Sequence, residues 1–212
     1  MRHSLVGGLL VAAFVALSAN GLAAQETGTP IFKAPYRAFA SHEFGASLSD
    51  PGSGVSYALE GFYGYGHGPY DLSIRGGWAK LNSTVNGAPV PCCTRYLVGG
   101  DFRARLIEYS ESFPLDGALT LGFGANVGSG VDSYYVPVGI SLGRRFELEG
   151  SKTSFIPYAH PVLVPRFGGG DSHVDFALGL GVDMRFSRNF AVRASGGLGD
   201  IDGVGISLTY IR

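Results

Sequence analysis

Residues 174–186 read Val-Asp-Phe-Ala-Leu-Gly-Leu-Gly-Val-Asp-Met-Arg-Phe. Val174, Phe176, Leu178, Leu180, Val182, Met184 and Phe186 are large and apolar. The residues between them, Asp175, Ala177, Gly179, Gly181, Asp183 and Arg185, are small or charged. A period of two means a β-strand whose two faces meet different surroundings. The run slightly exceeds the roughly 9–11 residues with which a tilted strand crosses a bilayer.

The same pattern returns along the chain. Leu115, Leu119, Leu121, Phe123 and Val127 alternate with Asp116, Ala118, Thr120, Gly122, Gly124 and Asn126. Tyr134, Val136, Val138, Ile140 and Leu142 form another such face, and so do Val204, Ile206, Leu208 and Tyr210. Val55, Tyr57 and Leu59, followed by Leu72, Ile74 and Trp78, continue the series. The pattern predicts ten strands near 36–48, 55–66, 69–81, 95–109, 115–128, 133–148, 154–166, 173–186, 190–198 and 203–212. Merging the weak first and seventh segments would give eight. Pro157, Pro161 and Pro165 interrupt the seventh, each removing a ladder donor. No amphipathic helix pattern is present.

The alternation does not say which face is outside. A water-soluble barrel turns its apolar face inward; a membrane barrel turns it to lipid. Charged residues are only 16% of the chain, against about 25% in ordinary soluble proteins. The only lysines are Lys33, Lys80 and Lys152, so the usual charged coat of a soluble surface is missing. The polar face is rich in Gly, Ala and Ser, which suits a narrow interior. Aromatic residues gather at strand ends: Phe186 and Phe190, Tyr63, Tyr65 and Tyr70, and Tyr96 and Tyr134 opposite. Interfacial aromatic girdles have that placement. The expected fold is an all-β, closed, antiparallel up-and-down transmembrane barrel over 36–212.

Residues 1–24 read as an export signal: Arg2 and His3, an uncharged apolar run from Leu5 to Leu17, then Gly21-Leu22-Ala23-Ala24 for cleavage. Residues 25–35 form a short polar lead. No later stretch reaches the ~20 apolar residues of a membrane helix. A net charge of −1 gives no sign of nucleic-acid binding. With ten strands, both termini lie at one end, expected to be periplasmic. The longest connection, Asn82–Thr94, is then an extracellular loop.

The interior face carries the charges. Glu43, Glu60, Asp71, Arg75, Asp101, Arg103, Arg105, Asp116, Arg145, Asp175, Asp183, Arg185 and Arg193 fall on it, with acids and bases nearly balanced. In a lumen of eight to ten strands, mostly filled by side chains, arginine–carboxylate pairs would satisfy them. The expectation is a structural ion-pair network that closes the barrel. A narrow path for small polar solutes is the alternative.

The alternating strands, the export signal and the last strand together resemble the small outer-membrane β-barrel proteins of Gram-negative bacteria, the OmpA-like and opacity-type group. The resemblance implies an outer-membrane monomer in the lipid bilayer, recognised by the barrel-assembly machinery through its C-terminal strand. Val204, Ile206, Leu208 and Tyr210 carry that signal, although the chain closes on Arg212 rather than Phe or Trp. The expected role of the closed barrel is structural or surface-interacting, without cofactor, metal or enzymatic activity.

Two features bear on chemistry. Cys92 and Cys93 are adjacent, and in an exported protein they are candidates for a disulfide. His173 with Asp171 and Asp175 is the best local acid–base cluster, and a hydrolase acting at the outer rim would use it. His160 has no serine two residues on, which argues against a lipid deacylase. The histidines share no metal-ligand spacing.

Overall fold

The computed structural model describes residues 32–37, 41–52, 55–85, 88–129, 132–151, 153–168 and 171–212. The signal segment and most of the polar lead lie outside these residues. The described strands are β1 (His42–Asp50), β2 (Val55–His67), β3 (Tyr70–Val85), β4 (Ala88–Ile107), β5 (Asp116–Gly128), β6 (Ser133–Tyr135), β7 (Val138–Gly143), β8 (Phe146–Glu147), β9 (Ser154–Gly168), β10 (Asp171–Arg185), β11 (Phe190–Gly199) and β12 (Gly203–Ile211). Among the described residues there is no helix.

Neighbouring strands pair antiparallel in chain order, and β12 returns to pair with β1 from Glu43↔Ile211 to Asp50↔Val204. That pairing closes the barrel, so the sheet has no free edge between its first and last strands. β6 and β7 both lie between β5 and β9, and β8 continues the line beside β9. The three are fragments of one stave, so the barrel has ten staves, as the alternation predicts.

Exposure gives the direction of the two faces. Val174, Phe176 and Met184 of β10 are exposed, whereas Ala177, Gly179, Gly181 and Asp183 are buried. Leu119, Leu121 and Phe123 of β5 face out, with Asp116, Ala118 and Thr120 inside. Val204, Ile206, Leu208 and Tyr210 repeat the arrangement on β12. An exterior so continuously apolar far exceeds the few-hundred-Å² patches of soluble monomers and suits hydrocarbon. At one end of this belt Phe190 stacks on Phe186 and edges against Tyr210. Tyr70 stacks on Phe102 at the same end.

The short connections at that end include Gly68-Pro69 and Ser187-Arg188-Asn189, and both Ser41 and Arg212 lie there, hydrogen-bonded to each other. It is called the terminal end below, and the opposite one the far end.

Four sequence expectations are corrected. First, residues 36 and 37 are not strand: β1 starts at His42, and Phe32–Arg37 runs inside the barrel instead. Second, Asn82–Thr94 is not a loop. β3 and β4 go on pairing past a bulge at Leu81/Asn82 as far as Val85↔Ala88. Pro89 and Pro91 are tolerated there because β5 begins pairing only at Arg95↔Gly128, which leaves that edge of β4 unpaired. Third, Val55 does not face outward. A register shift between Val55 and Tyr57 turns it inward, where it packs with Ala58, Ala79 and Leu97. Fourth, the eight-strand alternative fails because the prolines do not abolish β9. β9 pairs with β10 along its whole length, from Ser154↔Arg185 to Gly168↔Asp171. Pro157 and Pro165 accept from Arg144 and Val136 across the other edge. The N–H groups they lack therefore belong to the β6–β8 side alone, where the stave is fragmented.

Candidate functional site

The lumen is occupied by the chain's own N-terminal segment. Phe32, Lys33, Ala34, Pro35, Tyr36 and Arg37 form a strap, bent at Pro35 and Tyr36, that runs lengthwise inside the barrel. At the terminal end, the Arg37 guanidinium donates to the Tyr70 carbonyl at 2.8 Å. The Tyr36 ring lies beneath Arg105 and Arg145, 5.3 and 4.8 Å from their guanidinium carbons. Deeper in, the Lys33 ammonium pairs with Asp101 and donates to Ser73 Oγ at 2.9 Å. Nearest the far end, Phe32 packs with Ile201, which lies in the turn between β11 and β12.

The wall was shaped to admit this strap. A Cβ on Gly179 would stand 2.1 Å from the Phe32 ring, and one on Gly197 would stand 2.9 Å away. Both glycines sit where the strand alternation calls for an inward side chain. Their missing side chains make the space that Phe32 fills.

The strap's backbone is also satisfied by the wall. Arg103 Nη1 donates to the carbonyls of Ala34 and Tyr36. Ser141 donates to the Lys33 carbonyl, and Tyr158 to that of Phe32 at 3.4 Å. The Lys33 amide donates to His160 Nδ1 at 3.1 Å. Because Nδ1 accepts, the proton of the neutral ring is on Nε2, which donates to Thr120 Oγ1 at 2.7 Å. The imidazole therefore cannot take a proton from Thr120, and this pair is not a nucleophile with its base.

Most of the interior charges form two groups. In one, Arg193 embraces Glu43 with two bonds of 3.2 and 2.6 Å and reaches Asp183 through Nε at 3.1 Å. In the other, Arg75 meets Asp101 at 3.1 Å beside Lys33, and Arg103 Nε meets Asp71 at 2.8 Å. Glu60 is buried within electrostatic reach of Arg75. Asp175 pairs with Arg166 near the far end. Around Phe32 and Lys33 a partly open pocket of about 50 Å³ remains between the strap and the wall, room for only a few waters, and a larger one of about 200 Å³ lies beside Tyr36 and Arg37 at the terminal-end mouth.

Three of the residues expected in the inner network lie at the terminal-end mouth instead. Arg105 pairs with Glu108, a largely exposed partner. Arg145 is exposed over Tyr36. Arg185 donates to the carbonyls of Ser187 and Arg188 and so holds the tight turn rather than a carboxylate. Each sits at the strand end, where the alternation continues but the wall no longer encloses the side chain. Sequence reasoning missed Lys33 in the strap and Ser73, Thr120, Ser141 and Tyr158 around it, and it did not place His160 against the strap. The signal that could have found them is the run of inward glycines, which leaves more volume than a wall alone can fill.

Cys92 and Cys93 carry free thiols with their sulfurs 2.6 Å apart. His173 is exposed, with Nε2 3.4 Å from Asp175 Oδ1. Among the described residues no group of His, Cys, Asp and Glu could hold a metal ion.

A closed ten-stave barrel with an apolar exterior and a charged, strap-filled interior is the class these features define. Its fold is similar to that of a solved structure described as the β domain of the Bordetella autotransporter Brka. The likeness covers 81% of this chain and 99% of that one, with a TM-score of 0.51 and 16% identity. At that identity the likeness concerns the fold alone. No family model matches the chain, and no curated protein does.

Proposed function

We propose that this chain is an outer-membrane β-barrel protein with a structural or surface-interaction role, its lumen closed and carrying no solute. The apolar exterior supports the bilayer location, and the export signal read from residues 1–24 agrees with it. The termini then lie in the periplasm and the β3–β4 extension projects outward. The last strand, β12, pairs with β1 to close the barrel and is the segment the assembly machinery would recognise. The protein works as a monomer: its exterior is spent on lipid rather than on a partner.

The observation that carries the closed-lumen reading is the strap. A path for solutes would need continuous water between the mouths, yet the centre holds Phe32, Lys33 and the two ion clusters. The same filling argues against an internal enzyme, since the buried histidine is locked in the donor tautomer towards Thr120. At the rim, His173 meets Asp175, and Asp175 is already paired with Arg166, which supports an ion-pairing role for that carboxylate.

The experiment is conductance in a planar bilayer with the purified, heat-modifiable protein. Silence at moderate voltage is expected. Stable stepwise currents from the unsubstituted protein would sink the closed-barrel reading in favour of a narrow channel. A His173→Ala variant is expected to leave any activity on envelope lipids or peptides unchanged.

A further inference from the structure

The wall reads the strap mostly through its backbone. Five hydrogen bonds reach main-chain atoms: Arg103 to the Ala34 and Tyr36 carbonyls, Ser141 to that of Lys33, Tyr158 to that of Phe32, and the Lys33 amide to His160. Backbone recognition of this kind holds an extended peptide whatever its sequence, and alternate side-chain pockets then add selectivity. Two such pockets are present. One is anionic, with Asp101 and Ser73 around the Lys33 ammonium. The other is an aromatic slot made by Gly179, Gly197 and Ile201 around Phe32.

These are the parts of a peptide-binding site, complete with anchors. Three of the wall residues that meet the strap are also held by partners in the wall. Arg103 is held by Asp71, Asp101 by Arg75 and His160 by Thr120. The pocket is thus organised by the barrel and only filled by the strap.

We infer that the lumen is a receptor groove for a peptide bearing an aromatic residue followed by lysine, and that Phe32–Arg37 is its built-in ligand. A free peptide of this chemistry competes with the strap, so access to the groove depends on strap release. The inference rests on the closed-barrel reading. Conductance of the unsubstituted protein tests that reading alone, and peptide binding tests this one.

The test uses the full chain with Phe32→Ala and Lys33→Met, which loosens the strap and leaves every wall residue in place. Folding is checked by heat-modifiable gel mobility. A fluorescein-labelled Phe-Lys-Ala-Pro-Tyr-Arg peptide is titrated in detergent micelles and followed by anisotropy. Saturable binding to the double variant is expected, about tenfold weaker for the unsubstituted protein and again about tenfold weaker when Glu replaces Lys in the peptide. A folded double variant that binds nothing, or binds the Lys and Glu peptides equally, overturns the inference. Should the double variant not reach folded mobility, an Ala34→Cys reporter replaces it, with Cys92→Ser and Cys93→Ser. Excess Lys peptide is then expected to speed maleimide labelling of that thiol while the Glu peptide does not. Unchanged labelling with both peptides overturns the inference equally.

Discussion

The two ion clusters of the lumen both pair arginine with carboxylates but depend on different things. Arg193 draws its partners from the wall alone: Asp183 from the adjacent β10 and Glu43 from β1, across the pairing of β12 with β1. The Arg75–Asp101 and Arg103–Asp71 pairs also stand on the wall, but Lys33 and the strap carbonyls take up their remaining capacity. The difference teaches that charge satisfaction near β1 serves closure of the barrel, whereas charge satisfaction near β3–β4 serves occupation of the lumen. A buried charge that loses its partner costs far more than a pair is worth, so the two clusters should respond differently to deletion.

The largest effect is expected for Arg193→Ala. It leaves Glu43 and Asp183 buried without the guanidinium that pairs them, at a cost of about 3–5 kcal/mol. Denaturant unfolding in micelles, followed through the single tryptophan Trp78, measures it. A loss below that of Lys33→Met would break the comparison. Lys33→Met is expected to cost less, about 1–2 kcal/mol, because Asp101 keeps Arg75 and Ser73. Its distinguishing sign is functional: strap release is expected to give flickering bilayer currents that Arg193→Ala, with the strap intact, does not show. The smallest effect belongs to Arg105→Ala. Its ion pair with Glu108 lies at the solvated mouth and is worth under about 1 kcal/mol. A drop comparable to that of Arg193→Ala in the same unfolding assay would show that the mouth is more enclosed than its exposure indicates.

Much of the wall was legible in the sequence. Alternation placed Asp183, Arg193, Glu43, Asp101 and Arg103 on the inner face because a strand offers only two sides. It failed where the wall stops being regular. Val55 turns inward at a bulge, and bulges leave little trace in a period-two pattern. Arg105, Arg145 and Arg185 kept the inward parity but lie beyond the enclosed part of the barrel. The strap was illegible for a different reason. Phe32–Arg37 has neither strand nor helix periodicity and contains Pro35. Its partners Arg103, Ser141, Tyr158 and His160 are 67 to 127 residues away in sequence. The sequence did place Lys33 in a short polar lead, but nothing local says that such a lead folds back into the lumen.

The strap precedes β1 directly, and β1 must find β12 from the other end of the chain. Glu43 pairs with Ile211 across nearly the whole length of the polypeptide, a long loop to close. A strap seated against β4 and β9 ties the chain just ahead of β1 to the middle of the wall, so the stretch left open between β1 and β12 is shorter than the sequence separation alone requires.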